Sequence, residues 1–150
     1  MTNGGKRVAL VVEGIGELAR LILDALTQHN VACRVVLKNN GLEALDYLLG
    51  RGAYKGRDLN VMPCVTLLDL SLPRLDGLGL LREMRAHEQT RLLPVVAFSS
   101  ADERQEAANV VYGSGANSYI DTKPGFGAFE EVLEPVAHYW CVLNEPPPTP

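Results

Sequence analysis

Asp69 closes the short apolar run Val65-Thr66-Leu67-Leu68, and the residues after it, Leu70 to Gly77, carry Pro73 and an Asp76-Gly77 pair before a new apolar pattern begins. Such a run reads as a buried strand that ends on a carboxylate. In open α/β sheets the ligand crevice lies outside the carboxyl ends of the strands, where the departing loops diverge. Glu13 follows the first apolar run, residues 7–12, in the same way. A carboxylate in a crevice of this kind can attack a phosphorus and become an acyl phosphate, provided a cation offsets the charge on the oxygens that meet.

The elements that must position these acids alternate along the chain. Residues 7–12 predict a strand, and from Gly16 a helical period places Leu18, Leu21, Ile22, Ala25 and Leu26 on one face. Residues 33–37 predict a second strand, and Asn40-Gly41-Leu42-Glu43 has the form of a capping box opening a second helix. Residues 50–63 have no period and read as a surface loop. After the Asp69 strand, Asp76 is placed to cap a third helix, and Pro94 opens a strand over residues 95–98. Asp102 with Gln105 is placed to cap a fourth helix, ended by Gly113 and Gly115. A fifth strand over residues 117–120 precedes Lys123-Pro124. In the last helix, which carries Phe129, Val132, Leu133, Val136 and Trp140, Pro135 predicts a kink or a split.

Five strands alternating with five helices imply an α/β fold, a parallel sheet covered on both faces and doubly wound in the order 2-1-3-4-5. In that order the first and third strands are neighbours, so Glu13 and Asp69 meet at the switch point. The domain assignment that follows is residues 1–141 for the folded unit and 142–150 for an extended, proline-rich tail. With 47% hydrophobic residues the chain can bury a proper core. Its 14 basic and 18 acidic residues include no basic cluster that would track a phosphate backbone, so a protein partner is expected rather than nucleic acid. No apolar run approaches the roughly 20 residues that span a bilayer, and residues 8–12 are too brief for a signal-peptide core. A cytoplasmic protein is expected. Cys33, Cys64 and Cys141 stand at no metal-like spacing and read as small buried hydrophobes.

The pattern of Glu13 after the first strand, Asp69 after the third, Ser99 after the fourth, and Lys123-Pro124 after the fifth with Tyr119 just before it resembles the receiver domains of response regulators. The resemblance covers the chain from Arg7 to about Trp140. It implies a flavodoxin-like receiver fold, Asp69 as phosphoacceptor, and Mg²⁺ held by Glu13, Asp69 and the backbone carbonyl of Ser71. It implies Lys123 and Ser99 on the phosphoryl oxygens and Tyr119 as an aromatic that turns inward when Asp69 is modified, changing the surface along the fourth helix and fifth strand. It implies no enzymatic turnover beyond autodephosphorylation. Taken singly, each residue has a plainer reading. Asp69 or Glu13 can cap a loop or helix, Ser99 can be a strand-end hydroxyl, Tyr119 a core aromatic, and Lys123 a surface lysine.

The chain departs from the family pattern in two places. Gly14 stands where the family has a second acid, which predicts weakened Mg²⁺ binding. One extra residue separates Tyr119 from Lys123, which a bulge can absorb. Two functions follow. One is a single-domain response regulator of a two-component phosphorelay, taking its phosphoryl group from a sensor histidine kinase and signalling by altered contacts with a downstream protein. The other is a degenerate receiver, a phosphorylation-independent interaction and dimerisation module. A flavodoxin-like cofactor binder is disfavoured because Glu13-Gly14-Ile15-Gly16 is no G-x-G-x-x-G loop. The long loop at residues 50–63, the Gly115-Ala116-Asn117-Ser118-Tyr119 sequence and the late Tyr139-Trp140 resemble single-domain regulators that partner phytochrome-type histidine kinases. Tyr139, Trp140, Val142 and Leu143 exceed what one helix face needs and are a candidate homodimer patch. No output domain, nucleic-acid partner or membrane partner is expected.

Overall fold

The apolar runs form five parallel strands in the order β2-β1-β3-β4-β5, in a computed structural model that describes residues 7–28, 33–70, 76–99, 105–121 and 129–148. The strands are β1 (Arg7–Val12), β2 (Cys33–Lys38), β3 (Val65–Asp69), β4 (Val95–Ser99) and β5 (Ser118–Asp121). The helices between and after them are α1 (Gly16–Gln28), α2 (Gly41–Leu49), α3 (Gly77–Ala86), α4 (Gln105–Gly113) and α5 (Phe129–His138). This is the doubly wound receiver fold. Alternation along each strand sends successive side chains to opposite faces. Ala9 and Val11 join Leu67, Phe98, Ile22, Leu26 and Leu133 in one core, while Leu10 and Val12 join Leu68, Leu48, Leu80 and Met84 in the other. β1, β3 and β4 are buried on both faces, which is why they read as unbroken apolar runs.

The predicted caps hold, with one change of partner. Asn40 Oδ1 accepts the Glu43 backbone N–H at 2.8 Å, and Asp76 Oδ1 accepts that of Gly79 at 2.6 Å. Only half of the capping box forms, because the Glu43 carboxylate accepts the Tyr54 hydroxyl at 2.7 Å and stands 4.0 Å from Lys38 Nζ. Leu21 is exposed rather than on the buried face of α1, where Ala19 is buried. Asp102 lies outside the described residues.

Residues 50–63 are more ordered than their composition predicts. A 3₁₀ turn spans Gly52–Tyr54, and Arg57 donates from Nε to the Tyr47 carbonyl at 2.6 Å and from Nη1 to that of Val61 at 2.8 Å. Its guanidinium carbon also lies 4.2 Å from the Tyr47 ring centroid, a cation–π placement. The last helix differs from expectation as well. α5 runs unsplit through Pro135, and the irregularity comes four residues later as a π turn, Tyr139–Leu143, closed by the Asn144 N–H on the Tyr139 carbonyl at 2.7 Å. Glu131, whose carbonyl loses its donor to Pro135, is exposed, so water can serve that carbonyl. The helical element thus carries Val142 and Leu143, and extended chain begins at Asn144. Among the described residues no helix is long and apolar enough to cross a membrane.

Arg85 ties the β4 and β5 side of the sheet together. It donates to the carbonyls of Gly115 at 2.9 Å and Leu93 at 2.8 Å and to Asn117 Oδ1 at 3.0 Å, and that oxygen also accepts the Val95 N–H at 2.8 Å. Gly115 has φ +113°, and a Cβ there would stand 2.7 Å from Arg85 Cγ. Replacing Arg85 by methionine keeps the stem but leaves those acceptors without their donor, so urea unfolding should show a loss of about 2–4 kcal/mol. A loss below about 0.5 kcal/mol, the size of an ordinary surface substitution, would rule out this anchoring role.

Candidate functional site

The register Val12 opposite Leu68 sends Glu13 and Asp69 out of the sheet side by side, each one residue past the paired positions. Both acids are buried, Glu13 completely and Asp69 to 5% exposure. The Glu13 N–H donates to the Lys38 carbonyl at 2.9 Å, which fixes its backbone to β2. Its Oε2 accepts the Ile15 N–H at 3.0 Å, so it serves the start of α1 and the crevice at once. Its Oε1 is shielded from solvent and meets no hydrogen-bond partner among the described residues but the Asp69 carboxyl.

Burial first, and then the hydrogen bond with Asp69, push the Glu13 carboxyl up from the ordinary 4.5 to about 8, against a downward pull from the Ile15 N–H. At neutral pH Glu13 therefore keeps its proton unless a cation replaces it. Lys38 does not supply that cation. Its Nζ lies 4.4 Å from the Tyr54 ring centroid and 4.0 Å from Glu43. Beside Glu13 a hollow of about 400 Å³ opens between Gly14, Gly16, Arg20, Leu37 and Asn39.

The neighbouring strands bring two more of the predicted residues to this edge. Asp69 pairs with Phe98, and the Leu70 N–H donates to the Phe98 carbonyl at 3.1 Å, so Ser99 follows directly beside the acid. Ser99 is fully buried. Tyr119 sits on β5 opposite Ala97, half-buried, with its hydroxyl shielded from solvent. Ser71 and Lys123 lie outside the described residues. Gly14 is exposed and offers only its backbone.

Gly77 has a role that its place in a turn did not reveal. A Cβ there would stand 2.5 Å from Leu70 Cα and 2.6 Å from the Asp69 carbonyl oxygen. The start of α3 therefore lies directly on the strand end that carries Asp69, and Asp76 caps the helix at that contact. The sequence signal was present as Asp-Gly, but as turn chemistry it pointed to conformation rather than to close approach.

Two buried carboxyls with one oxygen otherwise without a partner suit a hard divalent cation that takes oxygen ligands and keeps several waters, such as Mg²⁺. Among the described residues no group of three or more His, Cys, Asp or Glu side chains gathers to hold a metal ion. The side-chain ligands would thus be Glu13 and Asp69.

The sequence profile of the response regulator receiver domain matches residues 9–133. The chain belongs to the response regulator receiver family. This receiver is 31% identical over 141 residues to the probable methanogenesis regulatory protein FilR2 of Methanothrix harundinacea, covering 93% of the chain and 87% of that protein. It is similar to the phosphorylated cyanobacterial phytochrome response regulator RcpA, with TM-score 0.84 and 26% identity over 95% of this chain and 99% of the other. The bacteriophytochrome response regulator RtBRR is 35% identical, with TM-score 0.73 over 95% of this chain and 85% of its own. The receiver is thereby a two-component protein homologous to phytochrome-associated regulators.

The raised Glu13 pKa links folding to pH. The native state holds a proton that the unfolded chain releases above about 4.5, so stability falls as pH rises from there through about 8. The slope approaches about 1.4 kcal/mol per pH unit inside that window. In buffer with EDTA, urea midpoints measured between pH 5.5 and 7.5 should fall for the parent, and Glu13→Gln should flatten the trend. Parallel trends in the two proteins would dismiss the coupling.

Proposed function

We propose that this receiver is a single-domain response regulator of a two-component phosphorelay, in which Asp69 takes a phosphoryl group from the phosphohistidine of a sensor histidine kinase. The observation that carries the reading is the buried Glu13 and Asp69 pair at the end of β1 and β3. The likeness to RcpA and RtBRR supports a kinase of the phytochrome type. Asp69 is the nucleophile. One carboxylate oxygen attacks phosphorus in line with the departing imidazole, the P–N bond breaks, and the acyl phosphate forms. Glu13, Asp69 and the Ser71 carbonyl would hold Mg²⁺, which would supply positive charge to the meeting oxygens. Because Gly14 adds no carboxylate, Glu13 must give up its proton for that cation, and affinity is correspondingly modest.

Ser99 donates its hydroxyl to one phosphoryl oxygen and Lys123 places an ammonium on another. Tyr119 follows the Ser99 side of the site and carries the change to the outer surface of α4 and β5. Val110 and Tyr112 stand exposed on α4, where a protein partner would read the difference. The receiver pairs with a second copy through the end of the chain. Tyr139, Val142 and Leu143 are 47%, 43% and 65% exposed there, while Trp140 packs partly against the core and braces Tyr139 edge-to-face at 5.0 Å between centroids.

Incubation with acetyl phosphate and Mg²⁺ should raise the intact mass by one phosphoryl group in the parent and not in Asp69→Asn. Equal absence from both, under conditions that modify an intact receiver, would favour the phosphorylation-independent module instead. Sedimentation tests the pairing. The double variant Val142→Asp, Leu143→Asp should sediment as a monomer where the parent is a dimer, and an unchanged dimer would remove the patch from the interface.

A further inference from the structure

Phosphoacceptor chemistry leaves the three cysteines unused, yet the fold brings them together. Cys33 opens β2, Cys64 directly precedes β3, and Cys141 lies in the π turn after α5. Parallel strands all begin at one edge, so these thiols gather at the opposite edge of the sheet from Asp69. Two contacts hold them there. The Cys64 N–H donates to the Val8 carbonyl at 2.8 Å. Arg7 donates from Nη1 to the carbonyls of Cys141 at 3.0 Å and Asn144 at 3.1 Å, pinning the π turn over the start of β1. Cys64 Sγ and Cys141 Sγ then lie 3.7 Å apart, and the Cys33 thiol also contacts Cys141. All three are in the reduced state. The expectation of small buried hydrophobes holds for Cys64 and Cys141, which lie in the core with Cys33 packed against it, and burial here comes with sulfur neighbours.

The cluster has an opening. A cavity of about 930 Å³ is lined by Cys33 and Cys64 together with Arg7, Arg34, Met62 and Pro147, so a small molecule can come up against Cys64 from this side. We propose that Cys64 and Cys141 are a dithiol oxidised to an intramolecular disulfide by a hydroperoxide that enters through this cavity. The roles of the two sulfurs differ. The hydrogen bond with Cys141, helped by the Arg7 charge, lowers the Cys64 thiol below its ordinary value despite burial. The hydrogen bonds with Cys33 and Cys64, and then burial, raise that of Cys141. Cys64 also lines the cavity where Cys141 does not, so Cys64 is the sulfur that meets the oxidant and Cys141 is the one that resolves.

The step balances with peroxide as oxidant. The Cys64 thiolate attacks one peroxide oxygen, an S–O bond forms, the O–O bond breaks, and the leaving oxygen takes a proton to become water or an alcohol. Cys141 then attacks the sulfenic sulfur, the S–S bond forms, the S–O bond breaks, and water leaves with the Cys141 proton. The two sulfurs together lose two electrons, which the peroxide gains. The sulfurs already stand 3.7 Å apart, against a bonded distance of about 2.05 Å. The bond would fasten the π turn, with its exposed Tyr139, Val142 and Leu143, to the start of β3.

The test uses the full chain, reduced, desalted, treated with a small excess of hydrogen peroxide and then alkylated. The intact mass should show two cysteines withheld from alkylation and recovered by dithiothreitol. A non-reducing tryptic digest, in which each cysteine falls in its own peptide, should join the Cys64 and Cys141 peptides. Cys33→Ser should form the same bond, and Cys141→Ser should stop at a sulfenic acid on Cys64 that dimedone traps. Thiols that remain fully alkylatable, a bond that includes Cys33, or links found only between chains would each overturn the proposal, and the parent digest decides it even if a variant fails to fold.

Discussion

Two buried carboxyl groups that meet resist both carrying charge unless something positive joins them. Glu13 and Asp69 are in that position, and much of the molecule serves to keep them there. β1 and β3 are adjacent and in register, so the acids emerge together. Gly77 lets α3 press on the backbone that carries Asp69. The Leu70 N–H, bonded to β4, holds the strand end on the other side. Each of these restraints removes a way for the acids to move apart and relieve the repulsion. What remains is to bind a proton or a cation, and a receiver's chemistry begins from that choice.

The chain keeps only the economical part of this arrangement. With Gly14 in place of a neighbouring acid, the crevice holds two carboxyls rather than three, and the proton on Glu13 is enough to relieve the charge at neutral pH. The same sequence change frees the backbone between Glu13 and α1, where the Glu13 carboxylate takes over the Ile15 N–H that a capping side chain would otherwise hold. One residue thus carries the electrostatics of the crevice and the entry into a helix.

The sheet and its caps were legible because they rest on near neighbours in sequence. The β3 and β4 runs are apolar and flanked by turn residues, and Asn40 and Asp76 bond three residues ahead, as capping does. The acid pair was legible too, since strand order follows from alternation and a crossover rule. What escaped depends on long reach. Arg57 and Arg85 look like ordinary surface arginines, yet their guanidinium groups satisfy carbonyls on separate segments. Leu21 fits the helical period of α1 but faces solvent, while Ala19 is buried. Cys64 and Cys141 are 77 positions apart, and no spacing rule joins residues that meet only when the last helix folds back over the first strand.

β3 is where these two kinds of information meet. Its five residues run from just after Cys64 to Asp69, a span of about 17 Å at about 3.3 Å per residue. It is paired on both sides, to β1 and to β4, and buried on both faces. Such a strand has little freedom to slide or bend, so its start and its end are held in a fixed relation. The acid edge and the thiol edge are therefore built on one rigid rod, each finished by a different helix: α3 presses on the Asp69 end and the π turn after α5 on the Cys64 end. Because the strand itself cannot give, the adjustable parts at each edge are the side chains and the elements laid over them, and those are the parts that the chemistry at either end can move.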